Sequence, residues 1–239
     1  MPELGRLETT LPLGLRRIAR TLVDLSSTER RRMRAIAMGM SASFDLAAVR
    51  RSMSPDTLTV REFNSTKFLD YERFLRINAR RAVALGLDHG PPRRILDLGC
   101  GPGYFLAIAR AMGHDALGLD LGDNQVFNAL ITSMRLRRVE LQISPCTPLP
   151  NLGEFDLITG FRICFDRFPL PWSEADWVFF LKDALGRLTP SGGIHLLLNQ
   201  HSSIFTPGLL REKVLTGFRV LNTVTVVDSP QVIELRRRA

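Results

Sequence analysis

Three glycines set two residues apart, with a carboxylate on either side, are where this 239-residue sequence could do chemistry. The stretch RILDLGCGPGYFLAIARAMGHDALGLDL begins at Arg94 and ends at Leu121. Gly99, Gly101 and Gly103 carry no Cβ, so their turn can take tight φ/ψ values and let a ligand approach the backbone closely. Asp97 precedes the turn, and Asp120 stands 17 residues after Gly103, at the end of the next apolar run. A carboxylate there can accept hydrogen bonds from both hydroxyls of a ribose. A phosphate-binding P-loop requires GxxxxGK[ST], but Tyr104 and Phe105 follow Gly103. A dinucleotide turn requires GxGxxG, and the spacing here is GxGxG. An acid after the second strand serves more than one nucleoside-binding fold, so Asp120 alone does not discriminate.

These residues need a scaffold. From Arg93 onward the pattern alternates: RRILDLG, DALGLDL, VELQIS, FDLITGF and IHLLLN read as strands. YFLAIARAM, NQVFNALITSMR and SEADWVFFLKDALGRL read as helices, the last stopped by PSGG. A short helix is expected near TPGLLREKVL, and the tail FRVLNTVTVVDSPQVIELRRR reads as two strands joined by DSP. The expected class is α/β: a Rossmann-like, mostly parallel seven-stranded sheet with helices on both faces and an antiparallel C-terminal edge. Ligands of such sheets sit beyond the carboxyl ends of the strands, where the glycine turn lies.

A helical extension is expected ahead of the sheet, dividing the chain into residues 1–90, a lid, and 91–239, the ligand-binding domain. Leu15, Ile18, Leu22 and Leu25 follow helical spacing, and Ser26 or Ser27 with Glu29 starts a further helix. REFNST reads as a loop before a helix from Lys67 to Leu85, capped by Ser65 or Thr66 and ended by Gly86. Its apolar stripe is Phe68, Tyr71, Phe74, Leu75 and Ala82, and DHGPP is the linker.

Composition narrows the class. No apolar run approaches the ~20 residues of a membrane span. The N-terminus lacks the apolar core of a secretory signal. Cys100, Cys146 and Cys164 are odd in number and too widely spaced for a zinc knuckle, which suits a reducing cytoplasm; no metal site is expected. The net charge of +8 lies wholly in residues 1–94, with 18 Lys and Arg against 10 Asp and Glu; residues 95–239 balance at 14 against 14. That basic region is either a solvated helical face or a surface for phosphate.

The composite DLGCGPGYF, with Asp97 before the turn and Pro102 within it, resembles the signature turn (V/I)LDxGCGxG of the class I, Rossmann-like S-adenosylmethionine-dependent methyltransferases. The resemblance runs over about residues 93 to 200 and implies S-adenosyl-L-methionine as cofactor. It implies that Gly99, Cys100, Gly101 and Gly103 pass beside the methionine part and that Asp97 organises the turn and faces the amino group. Asp120 would hold the ribose hydroxyls and Leu121 would lie on the adenine. Where many relatives carry an acid after the third strand, this chain has LQISPCTPLP, with Gln142 and Ser144 as its polar residues. Gly160 and Phe161, after the fourth strand, would line the cofactor.

Methyl transfer from a sulfonium is an in-line displacement, so the protein has mainly to position the nucleophile. Acceptor-facing candidates are Arg162, Asp166, Arg167 and Trp172 after the fourth strand and Asn199, Gln200 and His201 after the fifth. His201 could act as a general base. His195 reads as a packed core residue, His114 as a surface turn residue and Cys164 as a buried thiol. Lys67 and Tyr71 would stand one helical turn apart and face the site together. The chain lacks the [DN]PP[YFW] run of amino-methylating nucleic-acid enzymes, the Pro-Cys nucleophile of cytosine C5 enzymes in its proper place and a carboxylate-rich magnesium site. The expectation is a cytoplasmic enzyme methylating a small-molecule, glycan or lipid-linked acceptor. The alternatives are an RNA methyltransferase using the basic N-terminal region, or a cofactor-binding protein without turnover. The sequence does not fix the oligomeric state.

Overall fold

The computed structural model describes residues 27–42, 44–53, 58–167, 171–198, 218–224 and 232–237. The amphipathic stretch Leu15 to Leu25 and the short helix expected near residues 206–215 lie outside them, as does His201. Seven strands form one sheet: β1 Arg94–Leu98, β2 Asp115–Asp120, β3 Arg138–Glu140, β4 Phe155–Ile163, β5 Leu188–Leu198, β6 Phe218–Val224 and β7 Val232–Arg237. Their order is β3-β2-β1-β4-β5-β7-β6. The first five pair in parallel, and β7 runs antiparallel to both β5 and β6. This is the expected Rossmann-like sheet with its antiparallel edge.

The helices are α1 Ser27–Ala42, α2 Leu46–Arg51, α3 Val60–Ser65, α4 Tyr71–Ala84, α5 Tyr104–Ala111, α6 Gln125–Ser133 and α7 Glu174–Gly186. Strand side chains alternate between faces, and here each face carries its own core. Leu96, Leu98, Ile158 and Leu196 pack with Trp177, Phe180 and Leu181 of α7. Ile95 and Leu157 pack with Leu75, Ala79 and Ala82 of α4, Phe105 and Ile108 of α5 and Leu130 of α6. Burial on both faces explains why β1 is exposed only at Arg94 and reads as an unbroken apolar run.

The segment before the sheet departs from the sequence reading. REFNST is no loop: Thr59 accepts from the Glu62 amide while the Glu62 carboxylate accepts from the Thr59 amide, a capping box that opens α3. A 3-10 turn, Thr66–Leu69, follows. Asp70, not Ser65 or Thr66, caps α4 by accepting from the Arg73 amide, so that helix begins at Tyr71. At the other end of the sheet, PSGG does not stand outside the strand. β5 starts at Leu188, and a register shift between Phe155/Leu188 and Leu157/Gly193 accommodates the extra residues.

Two histidines and a cysteine also differ from expectation. His114 is buried: its Nδ1 accepts from the Arg93 amide at 3.0 Å and its Nε2 lies 2.7 Å from the Leu87 carbonyl. The imidazole thus ties both ends of the linker between α4 and β1. His195 is only half-buried and pairs across strands with Glu234 at 2.9 Å. Cys164 is exposed.

Candidate functional site

Each glycine of the turn has positive φ: +64° at Gly99, +53° at Gly101 and +79° at Gly103. Side chains other than glycine's rarely take that conformation. The amides of Gly99 and Cys100 both donate to the Leu119 carbonyl, at 2.7 and 3.2 Å, which stitches the turn to the end of β2. Asp120 closes the arrangement. Its Oδ2 accepts from the Gly101 amide at 2.7 Å and its Oδ1 from the Leu121 amide at 2.8 Å. A carboxylate has about four lone-pair sites, so each Asp120 oxygen keeps accepting capacity for a ligand.

Asp97 sits at the floor, 2% exposed, with Oδ1 accepting from the Thr159 hydroxyl at 2.7 Å. Burial pushes this carboxyl up to about 7, against the Thr159 hydrogen bond and the Arg81 charge, which both favour the ionised form, while Asp120 adds to the rise. Burial likewise raises the Cys100 thiol, aided by the two carboxylates, so Cys100 is a packed thiol and not a nucleophile.

A cavity of about 1000 Å³ opens over this turn. Its lining includes Asp97, Gly99, Cys100, Gly101, Asp120, Leu121 and Phe161 of the sequence-derived cofactor set, together with Gln142. Three members of that set stand elsewhere. Gly103 forms the N-cap of α5, where a Cβ would lie 2.5 Å from side-chain carbons of Ile131 and Leu136. Gly160 is packed beneath the floor, where a Cβ would meet Ile163 at 2.9 Å. Ser144 belongs to a turn, its carbonyl accepting from the Thr147 amide. Gly103, Gly160 and Ser144 are thus absent from the cavity lining.

Of the acceptor candidates, Lys67 and Arg162 line the cavity. Tyr71 does not; the 3-10 turn breaks the helical spacing to Lys67, and its ring packs on Phe44 at 5.0 Å. Asp166 and Trp172 are buried, Trp172 within an aromatic cluster with Phe165, Trp177 and Phe180. Asn199, Gln200 and His201 lie outside the described residues. Among the described residues no group of three or more His, Cys, Asp or Glu gathers to hold a metal.

The extension covers one side of the cavity and is fastened by several hydrogen bonds, among them Arg61 donating to Asp123 at 2.6 Å. Glu62 Oε1 accepts from the Gln125 amide at 2.9 Å, which with the Thr59 contacts holds its carboxyl below the ordinary range. Asn124 donates to Ser65 at 3.0 Å, and Tyr104 donates to the Phe68 carbonyl at 2.6 Å. Arg61, Lys67, Phe68, Arg73, Asn78 and Arg81 thereby reach the lining. Arg81 was not legible as a site residue. Its guanidinium donates to Asn78 at 2.9 Å and stacks 4.5 Å from the Phe161 ring centre. The TVRE capping-box pattern at Thr59–Glu62 was the signal that could have revealed the fastening.

The family model described as a methyltransferase domain matches residues 69–188, half of the chain. No curated protein sequence matches significantly. A S-adenosylmethionine-dependent methyltransferase from Clostridium acetobutylicum superposes with a TM-score of 0.54 at 11% identity, covering 75% of this chain and 98% of that one. A TehB-like enzyme from Corynebacterium glutamicum gives 0.52 at 18% identity with the same coverage. TrmN from Thermus thermophilus gives 0.48 at 20% identity over 69% of this chain, which spans only 49% of that protein. No helix of the described residues is long and apolar enough to cross a membrane. The chain belongs to the methyltransferase domain family and is a class I, Rossmann-like S-adenosylmethionine-dependent methyltransferase.

Proposed function

We propose that this enzyme methylates a small-molecule, glycan or lipid-linked acceptor held between the glycine turn and the α3–α4 segment. The observation that supports a small acceptor is enclosure: Lys67, Phe68 and Arg81 of the extension and Phe161 of the sheet line one cavity of about 1000 Å³, the size of a small-molecule site. The residues present fit an adenosyl cofactor, because Gly99 and Gly101 bring backbone without side chains to the cavity wall and two carboxylates share its lining.

When bound, the cofactor supplies an electrophilic methyl group on a sulfonium. The proposed roles of the chain's residues follow from their placement. Asp120 would accept from the ribose hydroxyls while still holding the Gly101 amide. Asp97, steadied by Thr159, would accept from the amino group. Leu121, 43% exposed beside Asp120, would cover one face of the adenine, and Gln142 would meet its edge. Phe68 and Phe161 would exclude water from the line of attack.

The test is an acceptor screen. Purified enzyme is incubated with methyl-labelled cofactor and separate pools of metabolites, oligosaccharides, lipid extract and total RNA, and labelled products are identified by mass. The reading expects a single labelled product in one of the first three pools. Labelling confined to RNA would replace it with the RNA methyltransferase.

A further inference from the structure

The loop of residues 121–124, between β2 and α6, belongs to the cofactor side of the cavity and is also where the extension lands. Asp120 and Leu121 at its start line the cavity. Asp120 Oδ1 accepts from the Leu121 amide, Asn128 of α6 donates to the Gly122 carbonyl at 2.8 Å, and Asn124 caps α6 by accepting from the Phe127 amide. The loop is thus held along its length to α6. Among the described residues, three hydrogen bonds join α3 to this loop and the start of α6. Arg61 donates to Asp123 at 2.6 Å, Asn124 donates to Ser65 at 3.0 Å, and Glu62 accepts from the Gln125 amide at 2.9 Å.

The three contacts differ in kind. Arg61 and Asp123 keep 62% and 47% of their side chains exposed, so water and salt screen that pair. Glu62 is buried, although carboxylates are rarely buried unless paired. It uses both oxygens. Oε2 accepts from the amide and the hydroxyl of Thr59, each at 2.9 Å, and Oε1 accepts from the amide of Gln125, the first residue of α6. One carboxylate therefore caps two helices, α3 from within and α6 from 63 residues away, at N-termini whose free N–H groups attract negative charge. The joined helices bracket the site. α3 runs into the 3-10 turn that carries Lys67 and Phe68. α6 carries Phe127, whose ring meets that of Phe68 at 5.3 Å and lies 3.7 Å from where a Gly101 Cβ would stand. Glu62 itself is absent from the cavity lining, so its contribution passes through the residues it holds.

We propose that Glu62 is a positioning residue for methyl transfer: it fixes Lys67 and Phe68, on the acceptor side, against Asp120 and Leu121, so that cofactor binding tightens α3. This rests on Asp120 and Leu121 being the ribose and adenine contacts. A cofactor that engages both restrains the loop, and a restrained loop presents the Gln125 amide to Glu62 in one place. In-line displacement requires methyl donor and nucleophile at near-attack distance, which a small shift of one cavity wall loses.

Hydrogen exchange of the full chain over residues 59–66, with and without S-adenosylhomocysteine, tests it, beside calorimetry of the same samples. The first variant is Gln125→Pro, which removes the amide that Glu62 accepts from and leaves the Thr59–Glu62 capping box alone. Proline suits the first residue of a helix, and Asn124, at φ −122° and ψ 113°, already has the backbone that a residue before proline takes. In the unaltered chain, saturating S-adenosylhomocysteine should slow exchange of α3 about fivefold or more, the lower end of coupling between two sites. Gln125→Pro should still bind the nucleoside, yet lose the slowing. Glu62→Ala should lose it too, whereas Thr59→Ala, which weakens the α3 cap and leaves the Gln125 link, should keep it. Should Gln125→Pro fail to fold or bind, that second pair decides. Slowing that survives in Gln125→Pro or Glu62→Ala overturns the proposal. Its loss in Thr59→Ala does so as well, because Glu62 would then be a helix cap and nothing more. Binding without slowing in the unaltered chain also overturns it. No calorimetric binding by the unaltered chain would instead overturn the cofactor reading, and the positioning role with it.

Discussion

The Tyr104 hydroxyl donates a 2.6 Å hydrogen bond to the Phe68 carbonyl, joining the first residue after the glycine turn to the covering segment. Tyr104 is 2% exposed and its ring stacks on Phe74 at 5.8 Å, so this one side chain joins the turn to both α4 and the 3-10 turn. Burial raises the phenol's proton affinity and keeps it a donor. Tyr104→Phe leaves the Phe68 carbonyl without this donor. It should cost about 1–2 kcal/mol in denaturant unfolding, and hydrogen exchange should speed up over residues 66–69. Unchanged exchange there would mean the segment is held by other contacts.

Two glycines of similar backbone separate strain from crowding. Gly113 has φ +91° and open space where a Cβ would stand, whereas Gly103 has φ +79° and two side chains within 2.5 Å of that point. Gly113→Ala should cost about 1–2 kcal/mol for the left-handed backbone. Gly103→Ala should cost about 1–3 kcal/mol more from overpacking against Ile131 and Leu136. Equal losses in melting experiments would show that those side chains simply move aside.

Asp97 should make both stability and cofactor affinity depend on pH. Its folded value of about 7 exceeds the ordinary 3.8, so the native state holds the extra proton and stability falls as pH rises from about 4 to about 7. Asp97→Asn should lose that slope, which spans on the order of 4 kcal/mol. A cofactor ammonium set against Asp97 selects the carboxylate, so S-adenosylhomocysteine affinity should weaken as pH drops below about 7. Thr159→Val removes the hydrogen bond that favours ionisation and should move this midpoint to higher pH. Calorimetry from about pH 5 to about pH 9 reads it; a flat profile would take Asp97 away from the ammonium.

The parts of the site legible in sequence are those the backbone dictates. Gly99, Gly101 and Gly103 announce themselves because few other residues take their conformation, and Asp120 because it ends an apolar strand. The mostly parallel sheet with its antiparallel edge followed from alternating strands and helices. Residues brought in by tertiary contacts were not legible. Arg81 looks like any solvated arginine on a helix until α4 docks over Phe161. Thr159 is one more residue of an apolar strand until register sets it beside Asp97. The β4–β5 register slips by one between Phe161/Leu197 and Ile163/Leu198, and this bulge at Arg162 leaves no trace in the hydrophobic pattern, because it displaces one residue and then restores the alternation. Tyr71 was misplaced for a related reason: Asp70, an N-cap inside the expected helix, shifts its start by four residues and turns Tyr71 toward Phe44.

Calorimetric titration shows whether Asp120 and the glycine turn hold an adenosyl cofactor. S-adenosylmethionine, S-adenosylhomocysteine and NAD are titrated into the unaltered chain and Asp120→Ala. Both adenosyl compounds should bind the unaltered chain and NAD should not. Asp120→Ala should weaken the adenosyl compounds at least about 30-fold, the value of charged hydrogen bonds to two hydroxyls. Binding of NAD in their place, or adenosyl affinity indifferent to Asp120, would rule this site out.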